Sequence, residues 1–483
     1  MKELDFESIR KRSVKGVIAL TTRSLLLQII SLVAFSLLTY FLSPKTIGIF
    51  GVAMAATKFF TLFIDIGFGA ALIQKKEAPD EDDLRTTFTI QEFLVGIVVI
   101  LGLLVSRPIG SFFSLSDQGL ILFRVLIIIL FISSLKTIPS ILMERRIQFE
   151  KQILPQIAES IVFNFLVVML AVRGLEVSSF TWAFLISSLV SLPLYYILAP
   201  WHVGFGIKKE AAIKLLSFGT PYQIKSILGV VKDDLIKLYA TKAVGLQAVG
   251  YLEWGQRWAF SPFRFLVDSI TKVTFPTFSR IQEEREILRK TVENSLFAVS
   301  FVMFPVMAGM VLVADYFIQL IPKYQKWEPA VPILFFFCFN AAVSSLSNIL
   351  VNVLDSTGRV KTTLILMVLW TVLTWTLTPI GIYFWGVTGV AAVSALITLT
   401  IIVTVYLVKR IFPFNFFSSV KNPLIITVAM LILCLIEKRT MGISLESMIF
   451  VIISGSIVYI VGMWAIAAKD IKGLISIIRT PHE

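Results

Sequence analysis

The 483-residue chain is 57% hydrophobic and 16% charged, with a mean hydropathy of +0.86. Soluble domains carry about 25% charge, so a soluble globular fold is excluded and an all-α polytopic membrane protein is expected. The net charge of +13 fits the positive-inside rule and attraction to anionic lipid head groups, and no nucleic-acid partner is expected.

Residues 1–14 are polar and hold Lys2, Arg10, Lys11 and Arg12. The apolar run behind them exceeds about 20 residues and lacks an A-x-A-like site, so it reads as a retained membrane helix rather than a signal peptide. Apolar stretches then predict about 14 spans, at 15–42, 45–74, 83–105, 118–142, 152–172, 178–199, 214–242, 246–276, 294–320, 329–354, 360–378, 385–408, 421–436 and 445–468. Alternate loops, counted from the N-terminus, hold most of the Lys and Arg, including Arg145–Arg146, Lys208–Lys209 and Lys409–Arg410. By the positive-inside rule these loops and both termini are cytoplasmic. The loop at 277–293 (SRIQEEREILRKTVENS) reads as an amphipathic helix on the membrane surface. A Walker A pattern is missing, which argues against ATP hydrolysis. Two cysteines, Cys338 and Cys434, and two histidines, His202 and His482, give no basis for a disulfide framework, a metal cluster or a histidine-based active site.

Two adjacent segments carry charge where lipid opposes it. Residues 214–242 contain Lys225, Lys232, Asp233, Asp234 and Lys237; residues 246–276 contain Glu253, Arg257, Arg264, Asp268 and Lys272. One charge at the bilayer centre costs about 2.5–3.5 kcal/mol on insertion scales, so ten need a wet cavity or a polar substrate. Spacings of 4, 7, 4 and 4 along the second segment place its charges within an arc of roughly 100° on one helix face. The first half adds Arg23, Lys58 and Asp65.

Lys58, Lys225 and Arg264 lie near mid-membrane and are expected to line a cavity. Asp65 and Asp268 are expected to be counter-ions or coupling residues. Arg124 and Lys136 lie near span ends and are expected to snorkel to the interface, and Glu159 is read as structural. Arg and Lys suit pyrophosphate and carboxylate groups.

The second half echoes the first. Arg23-Ser24-Leu25-Leu26 aligns with Lys225-Ser226-Ile227-Leu228, and Gly48 with Gly250, at an offset of 202; Phe63-Ile64-Asp65 aligns with Leu266-Val267-Asp268 at 203. Six spans separate the copies. Two parallel six-helix lobes around a central cavity are therefore expected, spans 1–6 over 1–205 and spans 7–12 over 206–415. Residues 416–483 would add two extra C-terminal helices and a cytoplasmic tail.

Two stretches carry a family resemblance: Leu42-Ser-Pro-Lys-Thr-Ile-Gly-Ile-Phe-Gly-Val-Ala-Met with its continuation to Gln74, and Lys326-Trp327-Glu328-Pro329-Ala330. They resemble the polysaccharide flippases of the multidrug/oligosaccharidyl-lipid/polysaccharide exporter superfamily, in the Wzx-type branch. The resemblance implies no enzymatic activity and a rocking alternating-access cycle in the cytoplasmic membrane. Its cargo would be an undecaprenyl-pyrophosphate-linked oligosaccharide for a teichuronic-acid-like polymer or an exopolysaccharide. Partners would be glycosyltransferases and a polymerase of the same pathway, with H⁺ or Na⁺ coupling and no other cofactor. In related lipid II flippases cations of the first, second and eighth spans matter; Arg23, Lys58 and Arg257/Arg264 occupy similar places. Together the residues give a substrate-binding set of Arg23, Lys58, Lys225, Lys232, Arg257 and Arg264, with Asp65, Asp233 and Asp268 as counter-ions or coupling groups. An ion-coupled multidrug exporter of the same fold is the competing reading.

Overall fold

The computed structural model describes residues 6–64, 72, 79–146, 148–208 and 227–479. All regular structure among them is helical. The chain divides into two compact units, Met1–Gly250 and Tyr251–Glu483.

In the first unit the helices are α1 (Phe6–Phe41), α2 (Pro44–Thr61), α3 (Glu81–Leu104), α4 (Ser106–Phe112), α5 (Asp117–Leu135), α6 (Thr137–Arg145), α7 (Phe149–Val172), α8 (Val177–Leu198) and α9 (Ile236–Val244). Local chemistry sets their starts. Ser43 Oγ accepts from the Thr46 amide at 3.1 Å, with Pro44 as the first helical residue, so α2 begins where the orphan amides find an acceptor. Asp80 and Asp83 cap α3 reciprocally. Helix α7 packs on α8 and α1, and α5 packs on α8, α3 and α2. The loop after α8 runs back along α3, where the amides of Gly206 and Lys208 donate to Thr89 Oγ1 and Thr86 Oγ1.

Helix α10 (Leu246–Arg280) starts in the first unit and continues through the second. The second unit then holds α11 (Arg285–Leu320), α12 (Val331–Ser356), α13 (Val360–Thr398), α14 (Ile401–Lys409), α15 (Phe416–Met441) and α16 (Leu445–Arg479). Helix α11 packs on α12, α15 and α16, and α12 on α13 and α14. Cys434, Met463, Met430 and Leu312 form the contact that docks the last two spans on α11.

Ten described helical stretches are long and apolar enough to cross a bilayer. One of them, Val360–Lys409, contains two expected spans folded back at Gly386 (φ 55°, ψ −136°), a left-handed conformation that suits glycine. Expected spans 45–74 and 214–242 are described only in part, and expected span 246–276 does not reach that standard, in line with its charge. Large apolar side chains such as Phe165, Ile197 and Ile402 point outward, 65–73% exposed, as lipid-facing positions should. Lipid tails are as apolar as leucine, so close backbone approach has to hold such helices together. A Cβ on Gly48 would lie 1.8 Å from the Leu246 carbonyl oxygen, and one on Gly250 would lie 1.8 Å from that of Pro44. The two glycines aligned by the repeat are thus where α2 and the start of α10 cross.

Two expectations are corrected. Residues 277–293 form no separate surface helix: α10 ends at Arg280, a four-residue turn follows, and Arg285 already begins α11. No breaker separates Arg285 from the apolar part, and Arg289 bonds Glu286 and pairs with Glu293 along the projecting turns. The expected span 118–142 breaks at Lys136 between α5 and α6. Pro139 has no N–H to offer the Leu135 carbonyl, and the Tyr196 hydroxyl donates to it instead at 3.0 Å.

Candidate functional site

The best-defined charged constellation lies where α2 meets a π-turn at Val231–Leu235. The turn reads Val-Lys-Asp-Asp-Leu and leads directly into α9, which also packs on α2. A π-turn inserts one residue into the helical ladder, and such bulges recur at functional sites. Asp234 is 7% exposed and faces α2. Lys58, in the last turn of α2, donates to both of its carboxylate oxygens at 3.3 Å. The lysine side chain is 54% exposed and the aspartate side chain 10%. The aspartate therefore acts as a buried anchor, while much of the lysine remains accessible to a partner. On the same turn Lys232 pairs with Asp233, whose side chain is largely exposed.

In the second unit Arg257 and Arg264 lie on α10, Arg257 partly buried and Arg264 exposed. Arg257 feels the charges of both Arg264 and Glu253, as the spacing along one face requires. Ser261 Oγ donates to the Arg257 carbonyl at 2.6 Å, one residue before Pro262. Trp327 and Ala330 of the Lys-Trp-Glu-Pro-Ala motif are fully buried in a 3₁₀ turn. Trp327 stacks on Trp254 of α10 at 5.8 Å between centroids, so this motif anchors the charged helix by packing.

The predicted site residues divide accordingly. Lys58, Lys232 and Asp233 gather at the α2/π-turn contact, and Arg257 and Arg264 share α10. Lys225 and Asp65 lie outside the described residues. Arg23 is on α1 and Asp268 on α10, with their side chains outside the described set. The residue that sequence reasoning missed as a partner is Asp234, which holds Lys58 among the described residues. Lys136 is also corrected. It does not snorkel; its ammonium is buried, donating to both Glu159 oxygens and to Ser188 Oγ at 3.1 Å each. Arg124 bonds Ser106 Oγ at 2.9 Å.

The sequence model of a family described as polysaccharide biosynthesis protein matches residues 37–332, a stretch that contains both α2 and α10. The chain belongs to that family. As a family member it is 24% identical over 331 residues, 68% of each chain, to the teichuronic acid biosynthesis protein TuaB of Bacillus subtilis (strain 168). It is 23% identical over 358 residues to the lipopolysaccharide biosynthesis protein WzxC of Escherichia coli (strain K12), covering 73% of this chain and 72% of that one. Among solved structures, the lipid II flippase MurJ in an inward closed conformation superposes with a TM-score of 0.76 at 16% identity, over 94% of this chain and 100% of that one. An inward-facing multidrug resistance MATE family transporter gives 0.62 at 15% identity, over 80% and 94%. Those likenesses establish that this polysaccharide biosynthesis family member has the MurJ/MATE-type helical fold.

Proposed function

We propose that this protein is a flippase that moves an undecaprenyl-pyrophosphate-linked oligosaccharide repeat unit from the cytoplasmic to the outer leaflet of the cytoplasmic membrane. The observation that carries the reading is a set of cations on α1, α2, the π-turn and α10 of a polysaccharide biosynthesis family member. Lys58, Lys232, Arg257 and Arg264, with Arg23 and Lys225, bind the pyrophosphate and any acidic sugars through charge-assisted hydrogen bonds. Asp233, Asp65 and Asp268 offset that charge when no substrate is bound. Asp234 belongs with them, because it holds Lys58 in place and can release it to a phosphate oxygen of similar charge.

The lipid tail stays in the bilayer while the polar head crosses. An apolar groove of about 330 Å³ between α11, α15 and α16, floored by Gly309 and Gly455, suits an isoprenoid chain. Lobes of six spans each, 1–205 and 206–415, alternate between inward- and outward-open arrangements. Differential affinity of the two arrangements for substrate and coupling ion sets the direction. Both termini lie in the cytoplasm, and the pathway's glycosyltransferases and polymerase act before and after transport.

Depletion of the protein in its host tests the reading. The expected result is accumulation of lipid-linked oligosaccharide in the cytoplasmic leaflet and loss of the extracellular polymer. Unchanged polymer together with new sensitivity to cationic drugs would favour the exporter reading, to which the MATE likeness points by fold alone.

A further inference from the structure

A second polar cluster lies within the first unit, away from the α2/π-turn contact. Glu92 sits near the middle of α3 and is 8% exposed. Its Oε2 accepts from Ser134 Oγ at 2.9 Å, whereas its Oε1 has no hydrogen-bond partner among the described residues. Gln91, its neighbour on α3, donates to Thr137 Oγ1 at 2.9 Å. The nearest cation in sequence from Ser134, Lys136, spends its ammonium on Glu159 of α7 and Ser188 of α8. The Tyr196 hydroxyl of α8, which shares an electrostatic interaction with Glu92, donates to the Leu135 carbonyl. On the other elements packed against α3, Arg124 of α5 is bound to Ser106, the first residue of α4 beyond the C-terminal end of α3. Arg145 of α6 reaches the Leu72 carbonyl at 2.6 Å. On α3 itself, Asp83 caps the helix and Arg85 pairs with Glu81.

An ionised carboxylate presents two oxygens that both need donors, and an uncompensated charge in a buried site neutralises rather than persists. Glu159, at similar remove from its helix ends, accepts from the Lys136 ammonium on both oxygens. Glu92 faces one serine hydroxyl. The two acids thus have opposite environments, and only one of them is left to a proton.

We propose that Glu92 is a reversible proton-binding site whose uptake and release of a proton is coupled to transport. Protonation forms an O–H bond at Oε1 with a proton from water, leaves Oε2 accepting from Ser134, and changes the charge of the first unit by one. Deprotonation returns the proton to water when the carboxylate becomes hydrated in the alternate arrangement. This inference rests on the flippase reading and supplies the coupling ion that reading requires.

The test uses the full-length protein in liposomes. Infrared difference spectra recorded from about pH 5 to about pH 9, the range of burial-perturbed carboxyls, should show a protonated-carboxyl C=O stretch that titrates. The band should vanish in Glu92→Gln, whose amide keeps the shape and the Ser134 contact. It should persist at higher frequency in Ser134→Ala, which removes that hydrogen bond, a shift that a purely structural role would not produce. In the same liposomes loaded with undecaprenyl-pyrophosphate-linked oligosaccharide, an imposed pH gradient should speed wild-type translocation several-fold and leave Glu92→Gln unaffected. A band that fails to titrate, a band unchanged in Glu92→Gln, or a gradient response that survives this substitution overturns the proposal. If the wild type moves no lipid-linked oligosaccharide while the band titrates and is lost in Glu92→Gln, the substrate reading fails and the proton site stands.

Discussion

The buried pair of Lys136 and Glu159 gives the most quantitative prediction. Lys136 Nζ makes three contacts at 3.1 Å, two to Glu159 and one to Ser188, and its side chain is 9% exposed against 34% for Glu159. Removing one partner of a buried pair costs about 3–5 kcal/mol, because the other charge is left without compensation. Glu159→Gln leaves the more deeply buried charge and belongs at the upper end. Lys136→Met leaves a carboxylate that water can still reach and belongs nearer about 2–3 kcal/mol. At roughly 2–4 °C per kcal/mol for a unit of this size, Glu159→Gln should lower the unfolding midpoint in detergent by on the order of 10 °C. The double variant Lys136→Met/Glu159→Gln removes both charges together and should recover at least half of that loss. Tryptophan-fluorescence melting of the four proteins checks the ranking. Equal midpoints for wild type and Glu159→Gln, or a double variant as unstable as the sum of the singles, would refute the argument that the pair is buried and mutually dependent.

Further predictions rest on other contacts. Gly48→Ala places a methyl 1.8 Å from the Leu246 carbonyl, so α2 and α10 must part; a loss of about 1–3 kcal/mol should appear as a lower melting point, and a wild-type melt would contradict the crossing. Trp327→Ala empties a fully buried site stacked on Trp254 and should cost about 3–5 kcal/mol, read as reduced recovery of monodisperse protein after heating. Lys58→Ala should slow translocation at least about tenfold, equivalent to 1.4 kcal/mol. The swap Lys58→Asp/Asp234→Lys should restore the melting point without restoring translocation. Full recovery of both would make the pair a packing lock and remove Lys58 from the binding set.

The helical, membrane-spanning class was legible because lipid demands long apolar runs, and those survive any tertiary detail. The close approach of α2 and α10 was legible in part, since Gly48 and Gly250 are the residues without side chains where the two backbones meet. Partner identity was not legible. Asp234 lies 176 residues from Lys58, and nothing local in the sequence marks it as that lysine's partner. Lys136 looked like a snorkelling residue because distance to the end of an apolar run says nothing about Glu159 waiting on α7. The helix break beside it depends on Pro139, a local signal, but the hydroxyl that meets the freed carbonyl comes from Tyr196, 61 residues from Leu135. Glu92, an acid midway along an apolar helix, carried a readable signal that the denser charge of 214–276 overshadowed.

Leaflet-resolved translocation in proteoliposomes tests the central claim most directly. Purified protein is reconstituted with undecaprenyl-pyrophosphate-linked oligosaccharide, and the fraction accessible to an externally added glycan-modifying enzyme is followed in time. The account predicts movement well above protein-free liposomes for the wild type and at least a tenfold slower rate, about 1.4 kcal/mol, for Arg264→Ala. Wild-type rates equal to those of protein-free liposomes would contradict the flippase assignment, and an unaltered rate in Arg264→Ala would contradict the cationic site.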